Sequence, residues 1–173
     1  MSARDCVKNA PRIELIGVTG LPEINTGDML GPLIVGAAVD QGSPVHTGDV
    51  VVVTQKIVSK AEDRLVRLDS VSPSAFALEF STQAKRDPRL IELVLRESRS
   101  VVKADPVRGI LIVETKHGLV CANAGIDSSN VPGEETVCLL PEDPDLSAKK
   151  IKESIVRQTG VDVAVIVSDT FGR

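Results

Sequence analysis

The sequence predicts a mixed α/β fold in a single domain of 173 residues. The chain has no Trp, no Tyr and three Phe, so its core must consist mainly of Val, Ile, Leu and Ala, which suits layered helices and strands. Continuous apolar runs at 50–53 and 163–167 are typical of strands buried on both faces. Segments with apolar residues at helical spacing lie between such runs.

The apolar pattern and the turn residues predict the elements in chain order. Asp28 and Asp145 are the predicted caps of the first and last helices. Pro73 and Pro88 open the two middle helices, and Gly160 closes the last one. Strands are predicted at 12–18, 50–53, 101–104, 110–114, 119–122, 136–140 and 163–167, and helices at 28–40, 73–84, 88–98 and 146–159.

Composition argues against several classes of function. The net charge is −4 and no basic run exceeds two residues, which disfavours double-stranded nucleic acid as a partner. The widely spaced Cys6, Cys121 and Cys138 are typical of reduced thiols rather than of a disulfide framework or a zinc site. The N-terminus lacks the apolar segment of a signal peptide, and no apolar run reaches membrane-spanning length, so we expect a cytoplasmic protein.

The familiar nucleotide and hydrolase motifs are absent. The sequence contains no G-x-x-x-x-G-K-[ST], G-x-G-x-x-G, G-x-S-x-G or H-E-x-x-H. A P-loop NTPase, a dinucleotide-binding Rossmann enzyme and an α/β-hydrolase are therefore disfavoured.

Four polar clusters remain as candidate sites, and each also has a purely structural interpretation. Residues 21–24 follow the first predicted strand and also fit a rigid turn. Residues 54–60 contain lysines that suit phosphates but also suit a solvated surface. Residues 123–130 form an Asx-rich loop, and residues 168–170 equally fit a helix cap. Because Asp127 and Asp169 both follow apolar segments, two hard carboxylates are available to Mg²⁺ or Mn²⁺.

Three long strings identify a family resemblance that runs from about Ile13 to Arg173. They are G-D-V-V-V-V-T-Q-K-I-V-S-K-A-E, E-T-K-H-G-L-V-C-A-N-A-G-I-D-S-S-N-V and S-D-T-F-G-R, and G-L-P-E-I near the start fits as well. They resemble the coenzyme F-420:L-glutamate ligase family. The resemblance implies a GTP-dependent ligase that adds L-glutamate to the deazaflavin F-420-0 or F-420-1 through an acyl phosphate, since a free carboxylate is a poor acyl donor.

The resemblance also implies the residues of the site. The implied nucleotide contacts are Leu21, Pro22, Glu23, Ile24, Gln55 (at a position where Ser is expected), Lys60 and Asn130. Asp127 and Asp169 correspond to ligands of one Mg²⁺ or Mn²⁺, and Thr170 to a ligand of a second, with K⁺ as a further candidate cofactor. Lys56 and His117 lie in matching strings and receive no catalytic role.

The family's fold is an α+β architecture without a P-loop, with a mixed sheet and flanking helices, which forms an intertwined homodimer. Because family members continue past D-T-F-G-R, we expect residues 1–173 to be the N-terminal portion of such an enzyme, and to be inactive or impaired alone. Two alternatives stay open. One is a noncatalytic nucleotide- or metal-binding module, and the other is a related ligase with a different carboxylate substrate.

Overall fold

A computed structural model describes residues 13–129, 131, 133 and 135–169. Over these residues the chain forms five α-helices, seven strands and two 3₁₀ turns. The helices are α1 (Leu30–Asp40), α2 (Gln55–Ala61), α3 (Ala75–Ala84), α4 (Pro88–Arg96) and α5 (Pro144–Thr159). The strands are β1 (Val50–Thr54), β2 (Leu65–Arg67), β3 (Ser98–Asp105), β4 (Ile110–Thr115), β5 (Val120–Ala122), β6 (Thr136–Cys138) and β7 (Ala164–Ser168), and the turns are Leu68–Ser70 and Asn123–Gly125.

The predicted mixed α/β class is confirmed, but the strands form three small sheets rather than one mixed sheet. β1 and β7 pair in parallel, β2 and β6 pair antiparallel, and β3, β4 and β5 form an antiparallel sheet. In the parallel sheet Thr54 lies opposite Ser168. Gln55 and Asp169, the residues that directly follow the two strands, therefore lie at the same edge of that sheet.

The prediction that β1 and β7 are buried on both faces is wrong. Val53 is 3% exposed, whereas Val52 is 62% and Ile166 is 49% exposed. The reason is that α1, α2 and α5 pack against one face of this two-stranded sheet, so the opposite face stays accessible to solvent. Sequence runs of Val and Ile do not distinguish a doubly covered strand from a singly covered one.

The strand predicted at 12–18 is also wrong over its described part. Residues 13–18 belong to no helix or strand, and Arg12 lies outside the described residues. Ile13 and Leu15 are 91% and 92% exposed. Their apolar pattern is that of a strand, but this segment lacks a partner strand in the described part of the chain.

The other predicted helices and strands are found within a few residues of their expected bounds. The two middle helices are α3 and α4. Pro88 opens α4 behind its cap Asp87, but the same prediction for Pro73 is wrong, since Pro73 lies before the start of α3. β3, β4 and β5 occupy the three predicted positions between α4 and the Asx-rich loop. Gly160 ends α5 with a φ of 71°, a conformation that glycine adopts without strain. No helix among the described residues is long and apolar enough to cross a membrane.

The two predicted helix caps, Asp28 and Asp145, are wrong, because a nearby residue holds each cap position. The cap of α5 is Asp143, whose Oδ1 accepts from Leu146 N at 2.9 Å, because Pro144 already occupies the first helical position. Met29 stands at the start of α1. The Asp28 carboxylate instead accepts a hydrogen bond from Asn25 N at 2.7 Å, which stabilises the preceding turn.

Close packing of α1 against α5 depends on Gly31. A Cβ atom at this position would lie 1.8 Å from Ser154 Oγ, 3.0 Å from Ser154 Cβ and 3.1 Å from the Ile151 carbonyl oxygen. The hydroxyl could rotate away, but the Cβ and the carbonyl oxygen could move only with the helix. The absence of a side chain at Gly31 therefore sets how closely the two helices approach.

We expect Gly31→Ala to destabilise the chain by about 1–3 kcal/mol, because the helices must separate to admit the methyl group. Gly36→Ala is the matched control in the same helix, since a Cβ there meets nothing within 4 Å; it should stabilise by about 0.5–1 kcal/mol through its higher helix propensity. Urea unfolding measures both. Equal effects of the two substitutions would contradict the packing argument.

Candidate active site

Two lysines on α2 face an open cleft of about 830 Å³. Lys56 and Lys60 are four residues apart, so they share one face of the helix. The cleft is lined by Glu23, Ile24, Asn25, Thr26, Thr54, Lys56, Ile57, Lys60, Leu65 and Val131. The segment after residue 20 therefore meets the end of β1 and the lysines of α2, which follow much later in the sequence, around one cavity.

Lys60 is held by the first of the predicted segments. Its Nζ lies 2.5 Å from Glu23 Oε1, and its side chain is 9% exposed whereas that of Glu23 is 75% exposed. Ile24, next to Glu23, is buried in the hydrophobic core that α1, α2 and α5 share. Burial of Ile24 thus anchors the segment that carries the partner carboxylate of Lys60.

Lys56 makes the second ion pair of the cleft, with Asp127. The distance from Lys56 Nζ to Asp127 Oδ2 is 2.6 Å. The same ammonium donates to Ser129 Oγ at 2.8 Å and to the Ser129 carbonyl oxygen at 3.0 Å. Asp127 also accepts from Ser129 N at 2.8 Å and from Ser129 Oγ at 2.9 Å. The carboxylate is thereby fixed within its own loop and tied to α2.

The backbone of Asp127 is fixed independently of its side chain. Asp127 N donates to Cys138 O at 3.0 Å, and Cys138 N donates to Asp127 O at 2.7 Å. Cys138 belongs to β6, which pairs with β2, and β2 begins shortly after α2 ends. This pairing places the Asx-rich loop beside the lysine helix.

Electrostatic surroundings stabilise the charged form of Asp127. Burial alone would raise the pKa of this carboxyl, but the hydrogen bonds from Lys56 and Ser129, together with the charge of Lys56, outweigh burial and lower the pKa below its ordinary value. The Asp127 carboxylate is therefore negatively charged at neutral pH, and its oxygens can bind a cation.

Asp169 is an exposed residue at the carboxyl end of β7. It lies close enough to Cys121 for its charge to act on that thiol: burial raises the pKa of Cys121, and the negative charge of Asp169 raises it further. Thr54 pairs with Ser168, so Asp169 lies at the sheet edge where α2 begins, and Lys56 of α2 pairs with Asp127. The two predicted carboxylates therefore belong to neighbouring parts of the fold.

The remaining predicted residues are placed less directly. Leu21 is half-buried and packs on the core, and Pro22 is exposed. Gln55 is 4% exposed, and its Oε1 accepts a hydrogen bond from Ser59 Oγ at 3.0 Å. Its side chain thus points into the core beneath the lysines. Asn130 and Thr170 lie outside the described residues.

The oxygen atoms at and around Asp127 are of the chemical kind that binds a hard cation. A carboxylate, a hydroxyl and a carbonyl oxygen already surround one positive charge, the Lys56 ammonium, and such oxygens are what Mg²⁺ and Mn²⁺ prefer. Within the described ranges no group of three or more His, Cys, Asp or Glu side chains could hold a metal ion. A metal at Asp127 would thus need further oxygens, from backbone, hydroxyl groups or phosphates.

Comparison with known proteins gives the family. The family model described as F420-0:gamma-glutamyl ligase matches residues 19–173. The chain belongs to this family. It is 42% identical over 161 residues to the coenzyme F420:L-glutamate ligase of Methanothermobacter thermautotrophicus, covering 93% of the chain and 63% of the relative.

Two further F420:L-glutamate ligases show the same extent of similarity. That of Methanopyrus kandleri is 42% identical over 87% of the chain and 57% of the relative. That of Archaeoglobus fulgidus is 41% identical over 94% of the chain and 61% of the relative. The chain thus spans about three fifths of the length of these members of the F420-0:gamma-glutamyl ligase family.

The contacts between Lys56 and Ser129 are not evident from the sequence. A lysine in a polar cluster is usually solvated, and Ser129 is one of several small polar residues in its loop, so neither stands out. The available signal was spacing: Lys56 precedes Lys60 by four residues, which places both on one helical face. Their partners could not be identified because Ser129 is 73 residues away in sequence.

We expect Glu23→Ala to destabilise the chain by about 1 kcal/mol, a value limited by solvent screening of the exposed carboxylate. The reason is that it leaves the ammonium of the buried Lys60 unpaired. Lys60→Met should cost less, because it removes the charge and keeps the apolar stem. Urea unfolding of both variants and of the double variant measures this. If Lys60→Met is the more damaging change, the ion pair is not what Glu23 contributes.

Proposed function

We propose that the chain carries part of the active site of a GTP-dependent ligase that joins L-glutamate to the deazaflavin F420-0, with F420-1 as a further acceptor. The observation that carries the proposal is the cleft itself. In a member of the F420-0:gamma-glutamyl ligase family, two lysines share one face of α2 above a cavity of about 830 Å³, and one of them is bonded to Asp127. Cations beside a carboxylate are what binding of a nucleotide with a divalent metal requires.

The chemical steps follow from the two substrates. The carboxylate oxygen of the acceptor attacks the γ-phosphorus of GTP, which forms an acyl phosphate and releases GDP. The α-amine of L-glutamate then attacks the acyl carbon, so that the amide forms, inorganic phosphate leaves and the amine loses a proton. Later additions form γ-glutamyl links by the same sequence.

Each site residue has a proposed task in these steps. Lys60 neutralises phosphate charge from its buried position at the cleft wall, and Glu23 holds its ammonium in place before nucleotide binds. Leu21, Pro22, Ile24, Gln55 and Asn130 contact or support the nucleotide. Asp127 and Asp169 would hold one Mg²⁺ or Mn²⁺, and Thr170 a second. When bound, such ions offset the charge that develops during phosphoryl transfer.

A test of this proposal uses the protein expressed from its complete gene. Amide product, followed by mass spectrometry, should require GTP, L-glutamate, F420-0 and Mn²⁺ together. Lys60→Met should raise the KM for GTP about 10-fold or more, since it removes a charge-assisted bond to phosphate. Asp127→Ala and Asp169→Ala should each lower kcat about 100-fold, while Lys152→Met, which removes a remote ion pair to Asp162, should change neither parameter.

The outcomes also separate the alternatives. A noncatalytic module would bind GTP and Mn²⁺ and form no amide with any acceptor. A ligase with a different carboxylate substrate would release phosphate only with that acceptor, which a panel of acceptors would reveal. Product formation without nucleotide would contradict the proposed acyl phosphate.

We also propose that the active enzyme is a homodimer in which a second copy covers residues 13–18. The support is the exposure of Ile13 and Leu15, at 91% and 92%, in a segment with a strand-like apolar pattern. The outer face of β1 and β7, with Val52 and Ile166 exposed, is a second apolar surface that a partner would cover.

We expect the wild-type chain to elute as a dimer, and Leu15→Glu to convert it to a monomer because a charge enters the buried interface. Size-exclusion chromatography with light scattering measures both masses. Val107→Glu is the matched control, since Val107 is 83% exposed in the β3–β4 turn. The Val107→Glu variant should stay dimeric. A monomeric wild type, or a dimeric Leu15→Glu variant, would count against this interface.

A further inference from the structure

Lys56 occupies a position that is surrounded by oxygens of the Asx-rich loop. Its Nζ lies 2.6 Å from Asp127 Oδ2, 2.8 Å from Ser129 Oγ and 3.0 Å from Ser129 O. An ammonium has three N–H donors and no acceptor. Three oxygens of one loop are therefore enough to use its full bonding capacity.

This bonding makes the two possible tasks of Lys56 mutually exclusive. As long as all three donors are directed at the loop, Lys56 cannot donate to an anion in the cleft, although it lines that cleft. In the same state, Asp127 Oδ2 is covered by a positive charge. The Lys56 side chain is 19% exposed and that of Asp127 is 38% exposed, so water screens the pair only in part.

We propose that Lys56 is a resident counter-cation of Asp127, which leaves the carboxylate when a divalent cation binds there and then neutralises phosphate oxygens in the cleft. The proposal rests on the proposed function in one respect, the assignment of Asp127 as a metal ligand. It adds a role for Lys56: when the metal binds, the Lys56 ammonium is released from Asp127 and becomes available to the phosphates of the nucleotide. A fixed structural clamp is the opposing interpretation, in which Lys56 keeps its bonds to Asp127 and Ser129 in every state.

The first test uses the unaltered chain and the chemical reactivity of its lysines. An acetylating reagent is added at constant pH with and without Mg²⁺, and acetylation of each lysine is quantified by peptide mass spectrometry. Lys152, which pairs with Asp162 at 2.9 Å, is the internal control. If Mg²⁺ displaces Lys56 from Asp127, then Mg²⁺ should increase acetylation of Lys56 several-fold relative to Lys152. Unchanged or slower acetylation of Lys56 would overturn the proposal.

The second test measures Mn²⁺ affinity through the electron paramagnetic resonance signal of the free ion. Lys56→Met removes the competing charge and keeps the stem, so Mn²⁺ should bind about fivefold more tightly, the size expected for loss of one partly exposed pair. Lys152→Met should leave Mn²⁺ affinity unchanged. In an Asp127→Asn background, the gain from Lys56→Met should disappear, because there is no shared carboxylate to compete for.

Circular dichroism establishes that each variant is folded, and Lys56→Gln serves as a second substitution. If Asp127→Asn leaves Mn²⁺ affinity unchanged, the metal role of Asp127 fails, and the competition fails with it. If Asp127→Asn weakens binding while Lys56→Met and Lys56→Gln give no gain, the counter-cation role alone is overturned and the proposed metal ligand stands. If Lys56→Met still strengthens Mn²⁺ binding in the Asp127→Asn background, competition for Asp127 is also overturned. The gain would then reflect only long-range repulsion between the lysine charge and Mn²⁺.

Discussion

The geometry of the site depends on the pair of backbone hydrogen bonds between Asp127 and Cys138. These bonds, at 3.0 and 2.7 Å, join the Asx-rich loop to β6, and β6 pairs with β2 immediately beyond α2. Backbone bonds do not depend on ionisation or on a ligand. The Asp127 carboxylate therefore stays within reach of α2, and side-chain bonds only refine its direction.

The cleft is organised by charges that are already paired. Each cleft lysine bonds to a carboxylate from a different segment, Lys56 to Asp127 and Lys60 to Glu23. A cluster of unpaired cations in a half-buried position would be costly, so pairing stabilises the folded chain. The same pairing means that an anionic ligand must compete with internal carboxylates. Under the proposed function, this arrangement would favour an anion that brings its own cation, since that cation would cover Asp127 when Lys56 leaves it.

Sequence patterns predicted what depends on local periodicity. α3, α4, α5 and the β3–β4 hairpin follow from apolar spacing and from proline and glycine signals, and the structure confirms them. The burial of β1 and β7 was not predictable, since a Val-rich run does not show whether helices cover one face or two. The candidate site was predicted as separate clusters. The partners of Lys56 and Lys60 lie far away in sequence, and only tertiary pairing brings them together.

The central proposal is that Asp127 and Asp169, from two different parts of the chain, belong to one metal site beside the cleft. Mn²⁺ titrated into the ¹⁵N-labelled chain tests it through paramagnetic broadening of the backbone amide signals. The account predicts that the signals of Asp127, Ser129 and Asp169 broaden together at the lowest Mn²⁺ concentrations. Broadening of the Asp127 region without Asp169, or first broadening at a remote acidic surface, would contradict it.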